Sequence, residues 1–171
     1  MDNSHLMDRA GSFVRQASRY RNWITPDGAP GPSGEAGFAA APERYHLYVS
    51  YACPWAHRTL ILRALKGLER HIAISVVHPH MGPEGWSFEP GPGVIADPIH
   101  SAQFLWQVYQ ADPLPFDGHA TTPLLWDKLQ RRVVNNESSD ILRMFNSAFD
   151  GVGAAAGDYY PEELRSEIDA L

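Results

Sequence analysis

Two short apolar runs with one helix between them set the strongest constraint on the fold. Residues 46–50 are rich in aromatic and β-branched side chains, as strands are, and residues 72–77 are apolar almost throughout, which indicates a strand buried on both faces. Pro54 suits the first position of a helix, and Gly67 can end that helix. A strand–helix–strand unit places its two strands in parallel. The apolar stripe expected to pack this helix on the sheet consists of Leu60, Ile61, Ala64, Leu65 and Leu68.

The rest of the pattern predicts a second helix, a hairpin and a third helix. The second helix is expected over residues 100–111, after a long loop at residues 78–98 that is rich in proline and glycine. Two short apolar runs, residues 124–126 and 133–135, are joined by a polar connection and indicate an antiparallel hairpin. The third helix is expected to begin near Ser138. This order predicts the α/β class, with a thioredoxin-like four-stranded mixed sheet flanked by helices.

Three regions are expected along the chain. Residues 1–44 are rich in turn formers and predict an irregular N-terminal extension, so the folded core is expected to start near residue 45. Residues 45–150 form the thioredoxin-like domain, and residues 151–171 are a linker followed by the start of a C-terminal helical domain. That last helix carries an apolar stripe that nothing later covers, so the rest of a helical domain is expected to be missing or to lie on another chain. The stripe consists of Leu164, Ile168 and Leu171.

Charge and sequence pattern exclude several classes of function. The chain carries a net charge of −6, and its basic residues are scattered, so a nucleic-acid role has no electrostatic support. No stretch approaches the roughly 18 consecutive apolar residues of a membrane span. The N-terminus lacks the basic start and apolar run of a signal peptide. The single cysteine cannot form an intrachain disulfide, and a reducing, cytoplasmic location is expected.

That cysteine, Cys53, is predicted to be a nucleophile. It lies where a strand ends and a helix begins, so helical N–H groups and the positive end of the helix dipole favour its thiolate. Arg58 and His57 lie within about a turn and can add positive field. Because position 56 is alanine, only a monothiol mechanism remains, in which one small thiol forms a mixed disulfide with Cys53 and a second resolves it. The alternative is a buried cysteine that packs as a small hydrophobic residue.

Two further segments are suited to holding a small thiol peptide. Thr122-Pro123 is where this fold places a cis proline, and a cis bond turns the backbone of Thr122 towards a bound peptide. Ser138 begins a helix whose N-terminus suits a carboxylate, and Glu137 can pair with an ammonium group. The γ-glutamyl end of glutathione carries both groups on one carbon, so glutathione is the expected ligand. The alternative is that Ser138 belongs to an ordinary helix N-cap.

Five motifs resemble those of one known family. They are Cys53-Pro54-Trp55-Ala56, Gly85-Trp86-Ser87-Phe88, Ala111-Asp112-Pro113, Thr122-Pro123-Leu124-Leu125-Trp126-Asp127 and Val134-Asn135-Asn136-Glu137-Ser138-Ser139. From about residue 20 onward, the chain resembles the Xi-class glutathione transferases, the glutathionyl-hydroquinone reductases. The resemblance implies that Cys53 attacks the sulfur of a glutathionyl-hydroquinone and that a second glutathione then releases oxidised glutathione. It makes residues 45–150 the glutathione-binding domain.

The resemblance also implies roles for further residues and partners. Trp86 would contact glutathione, and Thr122 with Pro123 would hold its backbone. Glu137 and Ser138 would hold its γ-glutamyl end. In the family, a C-terminal helical domain supplies most of the hydroquinone pocket and the dimer contacts, so a homodimer is expected where that domain is present. The candidate supporting residues are Tyr51, Pro54, Arg58 and His119.

Two departures from the family pattern concern positive charge. Gly118-His119 stands where the family usually has Gly-Arg, and residues 100–111 hold no arginine, where the family often has one. A histidine at position 119 carries charge only at lower pH. Both departures can lower the affinity for glutathione.

Two other functions stay open from the sequence. One is an Omega-like thioltransferase or dehydroascorbate reductase, which would use the same cysteine on other substrates. The other is a truncated, non-catalytic fragment that binds glutathione or a protein partner. No metal is expected, because His78 and His80 lack a third ligand at a fixed spacing.

Overall fold

One four-stranded sheet with helices packed on it forms the centre of the computed structural model, which describes residues 18–116 and 118–170. In chain order, the strands and α-helices are β1 (Tyr45–Val49), α1 (Pro54–Leu65), β2 (Ile72–Val76), α2 (Leu105–Gln110), β3 (Leu124–Asp127), β4 (Arg132–Asn135), α3 (Ser138–Ser147) and α4 (Arg165–Asp169). The sheet order is β2-β1-β3-β4, in which β1 and β2 are parallel and the other two pairs antiparallel. The predicted α/β class and mixed four-stranded sheet are confirmed.

The two parallel strands differ in burial. Every residue of β1 is buried, because β1 lies between two neighbours in the sheet. The expectation that β2 is buried on both faces is wrong, since Ala73 is exposed and Ile74 only half-buried. β2 is an outer strand, and among the described residues its outer side makes one isolated bridge, from Val76 to Ile95. A short apolar run therefore indicated the strand but not its place in the sheet.

Helix α1 buries a different face from the one predicted. The buried residues on this helix are Ala56, Thr59 and Leu62. Ile61 and Leu65, which were placed in the predicted stripe, are 49% and 48% exposed. Thr59 can face the core because its hydroxyl donates to the Ala56 carbonyl at 2.7 Å, which satisfies its polar atom. Apolar residues occur on more than one side of this helix, so periodicity did not identify the packed side.

Helix α2 begins later than predicted, at Leu105. The side chain of Asp97 accepts hydrogen bonds from the backbone N–H groups of Ile99, His100 and Ala102, at 3.0–3.2 Å. These bonds hold the segment before the helix in turns. Ser101 has a φ of 53°, a left-handed conformation that cannot continue a right-handed helix.

The described part of the N-terminal extension, residues 18–44, holds no helix or named strand, but it belongs to the core. Ile24 and Phe38 are almost fully buried in the main apolar cluster, so the expectation that the core starts near residue 45 is wrong. The backbone N–H of Asn22 donates to the Val134 carbonyl at 2.9 Å, and Arg21 forms a bridge with Asn135. The extension thus pairs with the outer edge of β4. Residues 1–17 lie outside the described residues.

The segment after α3 is fastened to α1 by one buried lysine. Lys66 is 1% exposed, and its ammonium donates to Asp150 and to the Gly157 carbonyl, both at 2.8 Å. The predicted stripe on the last helix leaves Leu164 44% exposed and Ile168 half-buried, and Leu171 lies outside the described residues. None of the helices in the part of the chain that the structure describes is long and apolar enough to cross a membrane.

A buried polar cluster joins β1, β2 and the loop after β2. The Ser75 hydroxyl donates to the Ala96 carbonyl at 3.0 Å, so its single proton is used. The contact of 2.9 Å between His46 Nε2 and Ser75 Oγ therefore has His46 as the donor, which fixes its neutral tautomer. The Tyr48 hydroxyl donates to Asp97 at 2.8 Å and completes the cluster.

We expect the protein to lose stability as the pH falls from 6.5 towards 4, because His46 must gain a proton on unfolding. Burial lowers the pKa of His46 from 6.5 to about 4, despite the opposing attraction of Asp97 and with smaller contributions from Lys128, Arg63 and His100. The unfolded chain binds this proton at a higher pH than the folded chain. The loss from His46 alone is about 2 kcal/mol at pH 5 and about 3 kcal/mol below pH 4.

Urea unfolding at pH 7 and pH 5 measures this effect when the protein is compared with the His46→Gln variant. Between pH 7 and pH 5, the free energy of unfolding should fall by about 2 kcal/mol less in the variant than in the wild-type protein. Parallel declines in both proteins would show that His46 does not carry the pH dependence.

Candidate functional site

The single cysteine, Cys53, lies at the N-cap of α1, directly after the turn that follows β1. Its backbone is extended, with φ −97° and ψ 114°, and Pro54 occupies the first helical turn as predicted. The side chain is half-buried at the border of the main apolar cluster. Cys53 is thus not fully buried, and its role as a nucleophile stays a prediction. The helix geometry expected from the sequence around Cys53 is confirmed.

The bond between Thr122 and Pro123 is cis, as predicted. The thiol of Cys53 donates to the Thr122 carbonyl, with a distance of 3.4 Å between Sγ and the oxygen. Thr122 is 7% exposed, and its hydroxyl oxygen has no hydrogen-bond partner among the described residues. The Tyr109 hydroxyl from α2 donates to the Thr121 carbonyl at 2.9 Å, which holds this turn in place. The structure thus brings Cys53 and the cis proline turn together.

The Glu137–Ser138 turn begins α3. The sequence left open that Ser138 belongs to an ordinary N-cap, but the N-cap residue is the one before it. Glu137 is the N-cap, and its carboxylate accepts from the backbone N–H of Ser139 at 3.3 Å. Ser138 is fully buried, and its hydroxyl oxygen accepts from Arg58. The Ser18 hydroxyl donates to the second oxygen of Glu137 at 3.0 Å. The carboxylate is therefore held both by its neighbour Ser139 and by Ser18, and the hydroxyl by Arg58, which are far away in sequence.

Helix α1 connects the cysteine with this turn. Arg58, less than two turns after Cys53, donates to Ser138 Oγ from Nε at 3.0 Å and from Nη2 at 2.6 Å. Its Nη2 also lies 3.9 Å from Glu137. The sequence indicated Arg58 as a source of positive field for the thiolate, whereas the structure places these guanidinium nitrogens at the Glu137–Ser138 turn.

The structure gives the local surroundings of three other predicted residues. Tyr51 is 54% exposed and packs against Gly93, where an added Cβ would come within 3.2 Å of its ring. Trp86 is half-buried, and its carbonyl accepts from the Leu105 N–H at 2.9 Å. His119 is half-buried in the segment that leads to the cis proline. The roles of Tyr51, Trp86 and His119 stay predictions.

Three residues that make contacts at the cis proline turn or the Glu137–Ser138 turn were not identified from the sequence. Ser18 lies in an irregular segment, so no periodicity relates it to Glu137. Tyr109 falls in the predicted second helix, but its hydroxyl contact with Thr121 has no sequence signal. Asn136, next to Glu137, lies 3.3 Å from the Tyr109 hydroxyl through its amide nitrogen. The one available signal was the predicted N-terminus of α3, at which polar neighbours are common.

A separate groove of about 660 Å³ lies between the extension, α3 and the C-terminal segment. Its charged groups pair largely among themselves or with near neighbours: Arg21 bonds Asp140, and Arg143 bonds Asp169. Cys53 does not line this groove. We assign the reacting group to Cys53 because no residue that lines this groove is a cysteine.

Metal ligands do not cluster in the described parts of the chain. Among residues 18–116 and 118–170, no group of three or more histidine, cysteine, aspartate and glutamate side chains is arranged to hold a metal ion. The rings of His78 and His80 lie 5.7 Å apart between centroids, in the loop after β2.

Comparison with known proteins identifies related sequences. The family described as "Glutathione S-transferase, N-terminal domain" matches residues 52–148. The glutathionyl-hydroquinone reductase YqjG of Escherichia coli is 56% identical over 163 residues, with 94% of this chain and 49% of the relative covered. The glutathionyl-hydroquinone reductase PcpF of Sphingobium chlorophenolicum is 52% identical over 161 residues, with 94% and 48% covered. The chain spans about half the length of these curated relatives.

Solved structures agree with these matches. The glutathione-bound structure of YqjG superposes with a TM-score of 0.86 at 55% identity, covering 88% of this chain and 50% of that one. The Xi glutathione S-transferase of Phanerochaete chrysosporium gives a TM-score of 0.83 at 47% identity, covering 92% and 52%. The resemblance to the Xi class, inferred from five motifs, is confirmed.

Proposed function

The chain belongs to the glutathione S-transferase family, and from that premise we propose that it is a glutathione-dependent oxidoreductase that reductively removes glutathione from glutathionyl-hydroquinones. The observation that carries the proposal is the position of Cys53, at the N-cap of α1 with its sulfur 3.4 Å from the carbonyl before cis Pro123. The names of the two reductases above support the substrate class. The hydroquinone conjugate and glutathione are the proposed partners.

The proposed reaction has two balanced steps. The Cys53 thiolate attacks the glutathionyl sulfur, the bond between that sulfur and the aromatic carbon breaks, and the carbon takes up a proton as hydroquinone leaves. The cysteine sulfur is oxidised to a mixed disulfide while the aromatic carbon is reduced. The thiolate of a second glutathione then attacks the glutathionyl sulfur of that disulfide, which releases oxidised glutathione and restores Cys53. One cysteine suffices for this cycle.

The cradle proposed for glutathione uses the two turns beside α1. The backbone of Thr122 pairs with the peptide part of glutathione, as an added strand would. The Glu137 carboxylate, partly satisfied by Ser18 and Ser139, attracts the ammonium of the γ-glutamyl end. Ser138 faces the carboxylate of the same end. Trp86 contacts glutathione in this proposal, and His119 adds charge at lower pH.

Location and assembly belong to the same proposal. A single cysteine outside any disulfide suits a cytoplasmic, reducing environment. Residues that family members carry in a C-terminal helical domain would line the aromatic pocket and supply the contacts of a homodimer.

The test is the formation of a glutathione adduct on Cys53. After exposure of the 171-residue chain to oxidised glutathione, we expect mass spectrometry to show one added glutathionyl group on Cys53, because its thiolate displaces one glutathione from the disulfide. Reduced glutathione should remove the group. The matched control is the Cys53→Ser variant, which has no thiol. An inert wild-type chain would favour a non-catalytic fragment and overturn the proposal.

A comparison of two substrates ranks the enzyme activities. Glutathionyl-menadione presents a sulfur bonded to an aromatic carbon, whereas hydroxyethyl disulfide presents a sulfur–sulfur bond. Faster turnover of glutathionyl-menadione supports hydroquinone reduction. Turnover of the disulfide alone would favour an Omega-like thioltransferase.

A further inference from the structure

The cis proline turn and the Glu137–Ser138 turn lie just beyond the paired residues of β3 and β4. At this end of the hairpin, the last pair joins Leu125 with Asn135. Pro123 has no backbone N–H, so it cannot donate a further hydrogen bond to the neighbouring strand. The spacing of the two turns therefore depends on another connection between them.

The Tyr109 hydroxyl provides this connection. It donates to the Thr121 carbonyl at 2.9 Å, and because its single proton is used there, its oxygen is left to accept. The amide Nδ2 of Asn136 lies 3.3 Å from that oxygen and donates to it. The same nitrogen lies 3.4 Å from the Thr121 hydroxyl. One phenol oxygen thus bonds the residue before Thr122 and the residue before Glu137.

The core fixes the ring that carries this hydroxyl. Tyr109 is fully buried, and its ring centroid lies 4.8 Å from that of Phe116, in a stacked arrangement, and 5.6 Å from that of Tyr20. The backbone N–H of Asn136 donates to the Tyr20 carbonyl at 3.2 Å, which holds the second turn from another side. Burial raises the pKa of Tyr109 to about 12, so the hydroxyl keeps its proton at neutral pH.

The bond to the Thr121 carbonyl also sets the direction of the Thr122 N–H. The peptide bond between these two residues is trans, in contrast to the cis bond that follows it. A trans peptide group is planar, so its C=O and N–H point in opposite directions. Anchoring the carbonyl on Tyr109 therefore orients the backbone of Thr122, which the proposed function pairs with glutathione.

We propose that Tyr109 is a positioning residue whose hydroxyl sets the affinity for glutathione by fixing the spacing of the cis proline turn and the Glu137–Ser138 turn. This rests on the proposed function, in which Thr122 holds the peptide part of glutathione and Glu137 its ammonium. Both groups belong to one small ligand, so two turns held at the right spacing lose less entropy when it binds. Tyr109 itself is buried and acts through its neighbours.

Calorimetric binding of S-methylglutathione to the 171-residue chain tests the proposal, because this ligand has no thiol to react. Tyr109→Phe removes only the hydroxyl and should weaken binding roughly 3- to 10-fold, the effect of about one lost hydrogen bond. The matched control is Tyr45→Phe. Tyr45 is also fully buried, and its hydroxyl donates to the Ala39 carbonyl at 2.8 Å. Its loss should lower stability similarly but change the affinity less than about twofold.

Asn136→Ala removes the other end of the connection and should weaken binding to a similar extent. In the double variant with Tyr109→Phe, the loss should be smaller than the product of the two single losses, because both substitutions break one link. Thermal unfolding measures the stability of each variant. If Tyr109→Phe does not fold, Asn136→Ala is judged by the same comparison with Tyr45→Phe.

Nuclear magnetic resonance of the ligand-free chain gives a second readout. Tyr109→Phe should shift the backbone N–H signals of Thr122 and Glu137, because the link between their turns is broken. Tyr45→Phe should shift neither signal. Unchanged signals in folded Tyr109→Phe would show that its hydroxyl does not position these turns.

The outcomes that overturn the inference differ from those that overturn the function. If wild type binds S-methylglutathione and Tyr109→Phe loses no more affinity than Tyr45→Phe, the hydroxyl does not set the affinity. A glutathione adduct on Cys53 would then leave the proposed function standing alone. If wild type does not bind S-methylglutathione, the proposed glutathione site is wrong and the inference fails with it.

Discussion

Replacing Cys53 with serine is expected to lower kcat/KM for glutathionyl-menadione at least about 1,000-fold, because a hydroxyl cannot form the mixed disulfide. The sulfur lies at the N-cap of α1, half-buried and 3.4 Å from the Thr122 carbonyl. A serine fits the same space and can donate to the same carbonyl. The loss should therefore reside in the chemical step, measured as the rate of hydroquinone release at saturating glutathione.

Ligand binding provides the control for this variant. Cys53→Ser should bind S-methylglutathione with an affinity within about twofold of wild type, since the cradle residues are untouched. A combined loss of binding and rate would indicate a disturbed site and not a missing nucleophile. Retained turnover in a folded variant would exclude Cys53 as the reacting group, because the chain has no other cysteine.

Replacing Asp127 with asparagine is expected to lower the free energy of unfolding by about 3–5 kcal/mol, the cost of leaving a buried charge without its partner. Asp127 is fully buried at the end of β3, and its carboxylate accepts from Arg44 Nε and Nη2, the closest contact being 2.5 Å. It also accepts the backbone N–H of Leu129 at 2.8 Å. Arg44 is 10% exposed, so water cannot replace the lost charge.

A surface pair provides the matched comparison. Glu35 bonds Arg132 at 2.9 Å but is 69% exposed, so Glu35→Gln should change stability by less than about 1 kcal/mol. Urea unfolding of both variants at pH 7 measures the difference. Equal losses would mean that burial does not set the value of the Arg44–Asp127 pair.

The parts of the site that the sequence predicted had either a local signal or a fixed place in the predicted fold. A proline directly after Cys53 marks a helix start and needs only neighbouring residues. The cis bond between Thr122 and Pro123 was expected from its place in the thioredoxin-like order of strands and helices, since few X-Pro bonds are cis. The placement of Cys53 beside Thr122 followed once the order of strands and helices was correct.

The parts that were missed depend on contacts between distant segments. Arg58 was expected to act on Cys53, yet its fork lies on Ser138, 80 positions later. The contact of Ser18 with Glu137 spans 119 positions. Spacing along one helix cannot reveal such pairs, because the partner lies on another element.

Helices were located more reliably than their packed faces or ends. On α1, the side towards the sheet is lined by Ala56 and Thr59, small residues that allow close approach, while the larger Ile61 faces outward. At α2, the carboxylate of Asp97 captures three backbone N–H groups and delays the helix. A single polar side chain outside the apparent helix thus decided where that helix begins.

The pairing of the N-terminal extension along β4 has a consequence for how the domain can be handled. An outer strand with free N–H and C=O groups recruits other chains, and here those groups are met by residues 20–22 instead. Phe38 fills part of the apolar interior from the same segment. The smallest unit that can fold alone therefore begins upstream of Tyr45. Removal of the residues before it would expose an aggregation-prone strand edge at β4 and leave a cavity where Phe38 packs.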